Sequence, residues 1–274
     1  MSIVIPWDPD LVIGSFHIAW HSLFAFVALV TGSLLSIRLS RYLIKDQRVY
    51  SYAIAVIVGG LVTARAAHVI DNWESYQGDA LRMLSFSGGG IATMGAPIGS
   101  TIAGLIACRV LRLPVGFMFD ITAVGIALGE AIGRIGDIIN GEHHGTACVP
   151  PMGVCVEYTS PLTLGQSTPV HFIGLYDCLL MLATFLVLYA CWRRVRGRPP
   201  EARVYFAYLF LLGAGRFLES FLRDDPVVAL GLQEAHFLGL GYALVGLVMV
   251  AVLTVRTKGP KTEPKPLHKE VSAR

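Results

Sequence analysis

The sequence predicts an all-α, polytopic membrane protein of seven transmembrane helices, with its N-terminus outside and its C-terminus cytoplasmic. Three observations predict it. Charged residues make up 15% of the 274-residue chain and apolar residues 54%, with a mean hydropathy of +0.61; a soluble domain carries about 25% charged residues. Apolar stretches of about 20 residues, each long enough to span a bilayer, recur along most of the chain. Lys and Arg gather between alternate stretches. A β-barrel is not expected, because strict alternation is missing and the segments are about twice the length of a barrel strand.

The spans are expected at 11–37, 50–70, 90–108, 115–139, 171–192, 204–222 and 232–255. Residues 1–37 hold no Lys or Arg, so the first segment lacks the basic start of a cleavable signal, and it is too long for one. Arg38, Arg41, Lys45 and Arg48 follow it. The third span opens on a glycine-rich stretch, "SGGGIATMGAPIGS" (87–100), and is followed by Arg109 and Arg112. The fourth is the least apolar, because it ends in "GEAIGRIGDIINGEHHG" (129–145). Residues 141–170 then form the longest external loop, with Cys148 and Cys155. A disulfide between them is expected in an oxidising compartment, two free thiols being the alternative. Cys108, Cys178 and Cys191 lie at or inside spans. Arg193, Arg194, Arg196, Arg198 and Arg203 separate spans five and six, and six further basic residues lie from Arg256 to Arg274.

All but five of the 22 basic residues thus share one side, which the positive-inside rule makes cytoplasmic. The net charge of +3 then reflects topology and not a nucleic-acid partner. Residues 1–256 are expected to form one transmembrane domain with 141–170 as its external loop. Residues 257–274, polar and containing Lys and Pro, are expected to be a disordered cytoplasmic tail.

The five exceptions are Arg65, Arg82, Arg134, Arg216 and Arg223. Arg82 falls in an external loop and Arg223 at an outer edge. Arg65, Arg134 and Arg216 fall in the outer halves of spans two, four and six, at comparable depth. An arginine at the bilayer centre costs about 2.5–3.5 kcal/mol on the insertion scale, less toward the interface, where snorkelling helps. Arg134 shares a helix face with Glu130 at i−4 and Asp137 at i+3. Arg216 has Glu219 at i+3 and Arg223 at i+7; Arg65 has His68 at i+3. One reading is internal ion pairing that locks helices together. It leaves positive charge over, because Arg65 has no acidic neighbour on its own helix. The other is an anion site open to the outer leaflet, where the natural anion is a phospholipid headgroup and the planar arginine fork suits phosphate.

Histidines add groups that exchange protons near neutral pH. His21 is expected a third of the way into span one, His68 near the outer end of span two and His171 at the start of span five. Any single one is more often a structural hydrogen bonder. A metal site from Glu142, His143 and His144 is disfavoured, since adjacent histidines rarely ligate one ion well and no HExxH is present. No cofactor is expected. The glycines read as helix packing or as close approach of a ligand.

The stretch "GRIGDIINGEHHG" resembles the signature of the bacterial prolipoprotein diacylglyceryl transferase family, G-R-x-G-N-F-x-N-G-E-x-x-G. Gly133, Arg134, Gly136, Asn140, Gly141, Glu142 and Gly145 occupy its defining positions, with Asp137 in place of the Asn. Other pieces match in order. "IAWHSLF" is similar to the first-span Trp-Tyr-Gly motif, "TARAAHVIDNW" to G-R-x-G-Y-V-x-x-Y-N and "GGIATMGA" to G-G-M-S-F-H-G-G. "HFIGLYD" is similar to H-P-x-Q-L-Y-E, and "GAGRFLESFLRDDP" to R-F-x-x-E-x-x-R. The resemblance covers nearly the whole chain.

The resemblance implies a multi-pass enzyme of the bacterial plasma (inner) membrane. It would move the diacylglyceryl group of phosphatidylglycerol onto the lipobox cysteine thiol of a preprolipoprotein still carrying its signal peptide. Glycerol phosphate would leave and a thioether form. Arg134 and Arg216 would hold the phosphate, with Arg65 assisting. Gly89, Gly90, Asp137, Asn140, Gly141 and Glu142 would shape the substrate pocket, and Glu219 would supply the sixth-span acid. The chain departs from the family at several positions. The third-span histidine falls on Met94, the first-span tyrosine on His21, the acid after Arg216 on Ser220 with Glu219 one place earlier, and the Gln of H-P-x-Q-L-Y-E on Gly174. A methionine cannot act as a base, so His21 or His68 is the expected replacement. Two other readings stay open: a membrane enzyme that uses a phospholipid with another acceptor, and a non-enzymatic lipid-binding or transport protein on the same scaffold. No internal repeat of the transporter kind is visible.

Overall fold

The computed structural model describes residues 2–14, 16–85, 90–141, 145–149, 151, 153–163, 168–198 and 201–256. Gly89, Glu142, His143, His144 and the tail 257–274 lie outside the described residues. Helices dominate: α1 (Trp20–Ser40), α2 (Arg48–Asp71), α3 (Trp73–Tyr76), α4 (Ala80–Leu84), α5 (Ala96–Val110), α6 (Val115–Asn140), α7 (Ile173–Val195), α8 (Arg203–Glu219) and α9 (Glu234–Arg256). Six of them, α1, α2, α6, α7, α9 and α8 with its continuation to Leu222, are long and apolar enough to cross a membrane. The seventh expected span, α5, has 15 residues and begins at Ala96, not at 90. The glycine-rich approach does not hold a helix; the chain turns through a 3-10 segment, Thr93–Gly95, before Pro97 sets the first helical turn.

The all-α expectation needs correction at one end of the bundle. There the inter-helix connections carry short strands. β1 (Ser2–Ile5) opens the chain, and β2 (Asp10–Ile13) and β3 (Phe16–Ala19) form an antiparallel hairpin. The first span was expected from residue 11, but these apolar, β-branched residues turn at Gly14, with φ 64°, and the helix starts only at Trp20. Hydropathy alone does not separate an apolar strand from a helix. β4 (Cys155–Tyr158) pairs parallel to β1, Ser2 opposite Cys155, and antiparallel to β5 (Val170–His171). His171 therefore ends a strand and does not begin a helix. A last hairpin, β6 (Val227–Ala229) with β7 (Leu232–Gln233), precedes α9. Cys148 and Cys155 form the expected disulfide, their Cα atoms 5.6 Å apart.

α6 is the central helix. Met118, Ile121, Ala123, Val124 and Ala127 are fully buried, with α1 on one side and α7 and α8 on another. α2 packs on α5, and α8 on α9. Phe26 and Leu34 of α1 and Leu244 and Val248 of α9 stay exposed, as apolar residues facing lipid would. At the end opposite the strands, two helices cap each other. Asp120 of α6 accepts from the backbone of Ala202, Val204 and Tyr205 at 3.0, 2.8 and 3.0 Å, and Glu201 accepts from Phe117 N–H at 3.0 Å. These bonds satisfy N–H groups that a helix start leaves without partners.

Candidate active site

The site is built where α6 ends. Asn140 is its last residue because Gly141 turns left-handed, φ 67°, and returns its N–H to Asp137 O at 3.1 Å. The Tyr158 ring lies only 2.9 Å from where a Cβ on Gly141 would sit. The Tyr158 hydroxyl donates to Ile138 O at 2.9 Å. Burial first, and the charge of Asp137 second, push this phenol up, so it stays a protonated donor.

Gly136 brings a second helix into the site. A Cβ there would meet His21 Cα at 2.8 Å and Trp20 O at 2.9 Å, so only glycine lets the start of α1 lie against α6. His21 thus sits in the first turn of α1, not a third of the way along a span. Its Nδ1 lies 2.5 Å from Asp137 Oδ1, and its backbone N–H donates to Asn140 Oδ1 at 3.3 Å.

From Asp137 a chain of charges runs inward. Its other oxygen accepts from Arg134 at 2.7 Å. Arg134 Nε stands 3.4 Å from Asp177 of α7, and Asp177 is 3.7 Å from Arg223. Arg223 pairs with Glu219 at 3.0 Å and with Asp225 at 3.1 Å; Glu219 is 3.7 Å from Arg216. Asp137, Asp177, Glu219 and Arg223 are all buried. Ser220, where the family acid would fall, is fully buried with its hydroxyl on Arg216 O at 2.7 Å, while Glu219 supplies the carboxylate from one residue earlier. Glu130 accepts from the Tyr208 hydroxyl at 3.1 Å. Arg216 Nε and Glu130 Oε2 are buried without a hydrogen-bond partner among the described residues. Both residues line a cavity of about 20 Å³ with Met94, Arg134 and Asp177.

Sequence reasoning assigned no role to Asp177, Arg223 or Tyr208. Asp177 had a signal, as the last residue of "HFIGLYD". Tyr208 had none, since it is one apolar-face tyrosine among several.

Arg65 stands elsewhere. It is buried and donates to backbone carbonyls: Nε to Met83 at 3.0 Å, NH2 to Arg82 at 2.8 Å and NH1 to Gly90 at 2.7 Å. Its guanidinium lies 5.1 Å from the centre of the Tyr76 ring. These carbonyls take up donors of Arg65; being neutral, they do not cancel its charge. His68 belongs to the same group, edge-on to Tyr76 at 5.8 Å. Gly90, φ 80°, runs so close that a Cβ would overlap the His68 ring. The structure therefore joins His21, Arg134, Asp137, Asn140, Gly141, Arg216 and Glu219, and sets Arg65, His68 and Gly90 apart.

α1 and α2 touch little along their length. Between them and α6 lies a cleft of about 340 Å³. Its walls are apolar, including Ala25, Ala28, Val56, Ile57, Leu61 and Ile126, and it also reaches His21, Glu130, Arg134 and Asp137. An apolar slot with arginine and polar groups at its head suits an amphiphile with an anionic headgroup.

Fold and site together define a multi-pass membrane protein with a buried arginine–carboxylate cluster at the head of an apolar cleft. The family model for prolipoprotein diacylglyceryl transferase matches residues 10–252. Three proteins, each named phosphatidylglycerol–prolipoprotein diacylglyceryl transferase, are similar over most of their length. That of Clostridioides difficile is 30% identical over 247 residues, 90% of this chain and 95% of its own. That of Dehalococcoides mccartyi is 32% identical over 253 residues, 88% of each chain. That of Trichormus variabilis is 30% identical over 260 residues, 91% of each. The chain belongs to the prolipoprotein diacylglyceryl transferase family.

Proposed function

We propose that this chain is a phosphatidylglycerol–prolipoprotein diacylglyceryl transferase, with its donor lipid in the α1–α2–α6 cleft and the donor phosphate at Arg134 and Arg216. Family membership over residues 10–252 supports the reaction class. The observation that carries the placement is Arg134, which lines both the apolar cleft and the small cavity beside Arg216. Acyl chains lie along the apolar walls. The phosphate draws the Arg134 fork away from its long 3.4 Å contact with Asp177 and takes the donor that Arg216 Nε holds in reserve.

The acceptor is the lipobox cysteine of a preprolipoprotein. Its thiolate attacks the diacylglyceryl carbon that bears the phosphate ester, a C–S bond forms, and the C–O bond breaks with its electrons going to glycerol phosphate. Arg134 and Arg216 stabilise the charge that collects on the departing phosphate. Asp137, Asn140 and Gly141 set the α1–α6 junction at the head of the cleft. Glu219 holds Arg216 and Arg223 in place. Arg65 and Gly90 act at a distance by fixing the connection between α4 and α5, and Gly89 and Glu142 are assigned to the substrate side from the signature alone.

Residues 1–256 form one membrane domain with seven spans, α5 being the short one, and 141–170 as its external loop; 257–274 is a cytoplasmic tail. The strand-bearing end faces out, since the opposite turns carry Arg41, Lys45, Arg112, Arg196 and Arg198. The membrane is the bacterial plasma membrane. The test is complementation in a bacterium depleted of its own transferase, following one lipoprotein by mass. Gain of a diacylglyceryl mass with the parent chain, and its loss with Arg134→Ala, is the expected result. A folded parent that adds no mass overturns the reading and points to another acceptor.

A further inference from the structure

We infer that His21, held by Asp137, is the group that takes the proton from the acceptor thiol in this chain. The inference rests on the transferase reading and names the base within that site. Met94 occupies the third-span histidine position, and a thioether takes no proton at neutral pH. Among the described histidines, His17 is exposed on β3, His68 lies in the Arg65 group, and His171 packs on Tyr176. His236 is buried, with its Nδ1 accepting from Gln233 N–H. His21 alone of these lines the apolar cleft.

Its setting is that of an oriented imidazole. Asp137 Oδ1, 2.5 Å from Nδ1, keeps the proton on that nitrogen and makes Nε2 the basic one. Asp137 is itself fixed by Arg134 through its second oxygen, and Asn140 holds the His21 backbone. The side chain of Asp137 is 2% exposed and that of His21 is 34% exposed, so the carboxylate is sequestered while the imidazole meets what enters the cleft. A carboxylate so placed stabilises the imidazolium that forms, and a neutral amide at position 137 would not. The two departures at positions 21 and 137 therefore act as one unit.

The step balances. The thiol proton passes to His21 Nε2, the thiolate forms the C–S bond, the C–O bond electrons leave on glycerol phosphate, and the imidazolium returns its proton to that phosphate. Arg134 touches Asp137, which places the base beside the leaving group.

A selenocysteine substrate provides the test, because a selenol is ionised at neutral pH and needs no base. The purified chain in phosphatidylglycerol vesicles is given a signal-peptide substrate with either cysteine or selenocysteine in the lipobox. Thioether or selenoether formation and glycerol phosphate release are followed. His21→Gln keeps a donor toward Asp137 and supplies no base. It is expected to lower kcat at least about 100-fold on the cysteine peptide and less than about tenfold on the selenocysteine peptide. Equal losses on both peptides would make His21 a structural residue and overturn the inference, as would full activity on cysteine. A folded parent that releases no glycerol phosphate with either peptide would instead sink the transferase reading itself.

Discussion

Arg134 and Arg65 look alike in the sequence, and the structure gives them opposite occupations. Both sit in the last half of an apolar helix, α6 and α2, and both are largely buried. Arg134 is held by carboxylates, Asp137 and Asp177, at the head of the cleft. Arg65 is held by the carbonyls of Arg82, Met83 and Gly90 and by the face of Tyr76. Carboxylate partners can be exchanged for a phosphate, which is also anionic and also takes the arginine fork through two oxygens. Backbone carbonyls cannot be exchanged without releasing the chain that carries them. A buried arginine is therefore read by what its donors touch, and the depth of the residue alone does not say whether its charge is available to a ligand.

The largest effect is expected at Arg134. Arg134→Ala removes the proposed phosphate ligand and one cationic partner each from Asp137 and Asp177, leaving them to His21 and Arg223; each lost partner of a buried group costs about 1–3 kcal/mol. Product formation per folded molecule is expected to fall by at least about 10²–10³-fold, measured as lipidated peptide by mass. Arg134→Lys keeps charge without the fork and should fall between. An Arg134→Ala protein of normal rate would break the comparison at its stronger side.

Arg65→Ala should fail in a different way. Each carbonyl left without a partner costs about 1–3 kcal/mol, so the thermal midpoint should drop by several degrees. Turnover per folded molecule should change by less than about threefold, with any loss appearing in KM. If kcat instead collapsed while the midpoint held, Arg65 would have to reach the lipid directly, and the two arginines would be one kind after all.

Gly141→Ala asks whether the strand-bearing end presses on the Arg134 side. A left-handed non-glycine residue costs about 1–2 kcal/mol, and the new Cβ would stand 2.9 Å from the Tyr158 ring. Loss of stability within that range, with kcat lowered about tenfold, would say that the α6 end and β4 are set against each other. Unchanged kcat at lowered stability would confine Gly141 to folding.

These contrasts mark what was legible beforehand. Apolar length and the basic turns identified six long helices, and α5 was found but misplaced because a glycine-rich lead-in is apolar without being helical. The β2–β3 hairpin was hidden for the converse reason: Leu11, Val12 and Ile13 are as apolar as any helix face. Within the site, Arg134 with Asp137 and Arg216 with Glu219 were readable because i,i+3 spacing is a local rule. His21 with Asp137, at a sequence separation of 116, and Arg134 with Asp177 join different helices, and no local rule pairs them. The carbonyls around Arg65 are not legible in the sequence, because backbone partners leave no trace in residue identity.

The smallest effect on turnover is expected at the disulfide. Cys148 and Cys155 are 7 residues apart, and so short a closed loop contributes about 2.5 kcal/mol on the chain-entropy account. The segment it staples has other ties: Thr146 N–H to Leu222 O at 2.9 Å, His171 N–H to Thr146 O at 3.0 Å and Cys148 N–H to Pro169 O at 3.0 Å. The double variant Cys148→Ser, Cys155→Ser should therefore lipidate peptide at nearly the parent rate at low temperature and lose activity at a lower temperature on heating, and reductant should reproduce this on the parent. Leu222 and Arg223 follow directly on one another, so the same segment also borders the charge cluster. If removing the disulfide abolished turnover at every temperature while the helices stayed folded, the staple would be setting the position of Arg223 and, through Asp177, of Arg134. The disulfide-closed loop would then belong to the exchangeable side of the comparison, and its covalent closure would be part of how the arginine fork is aimed.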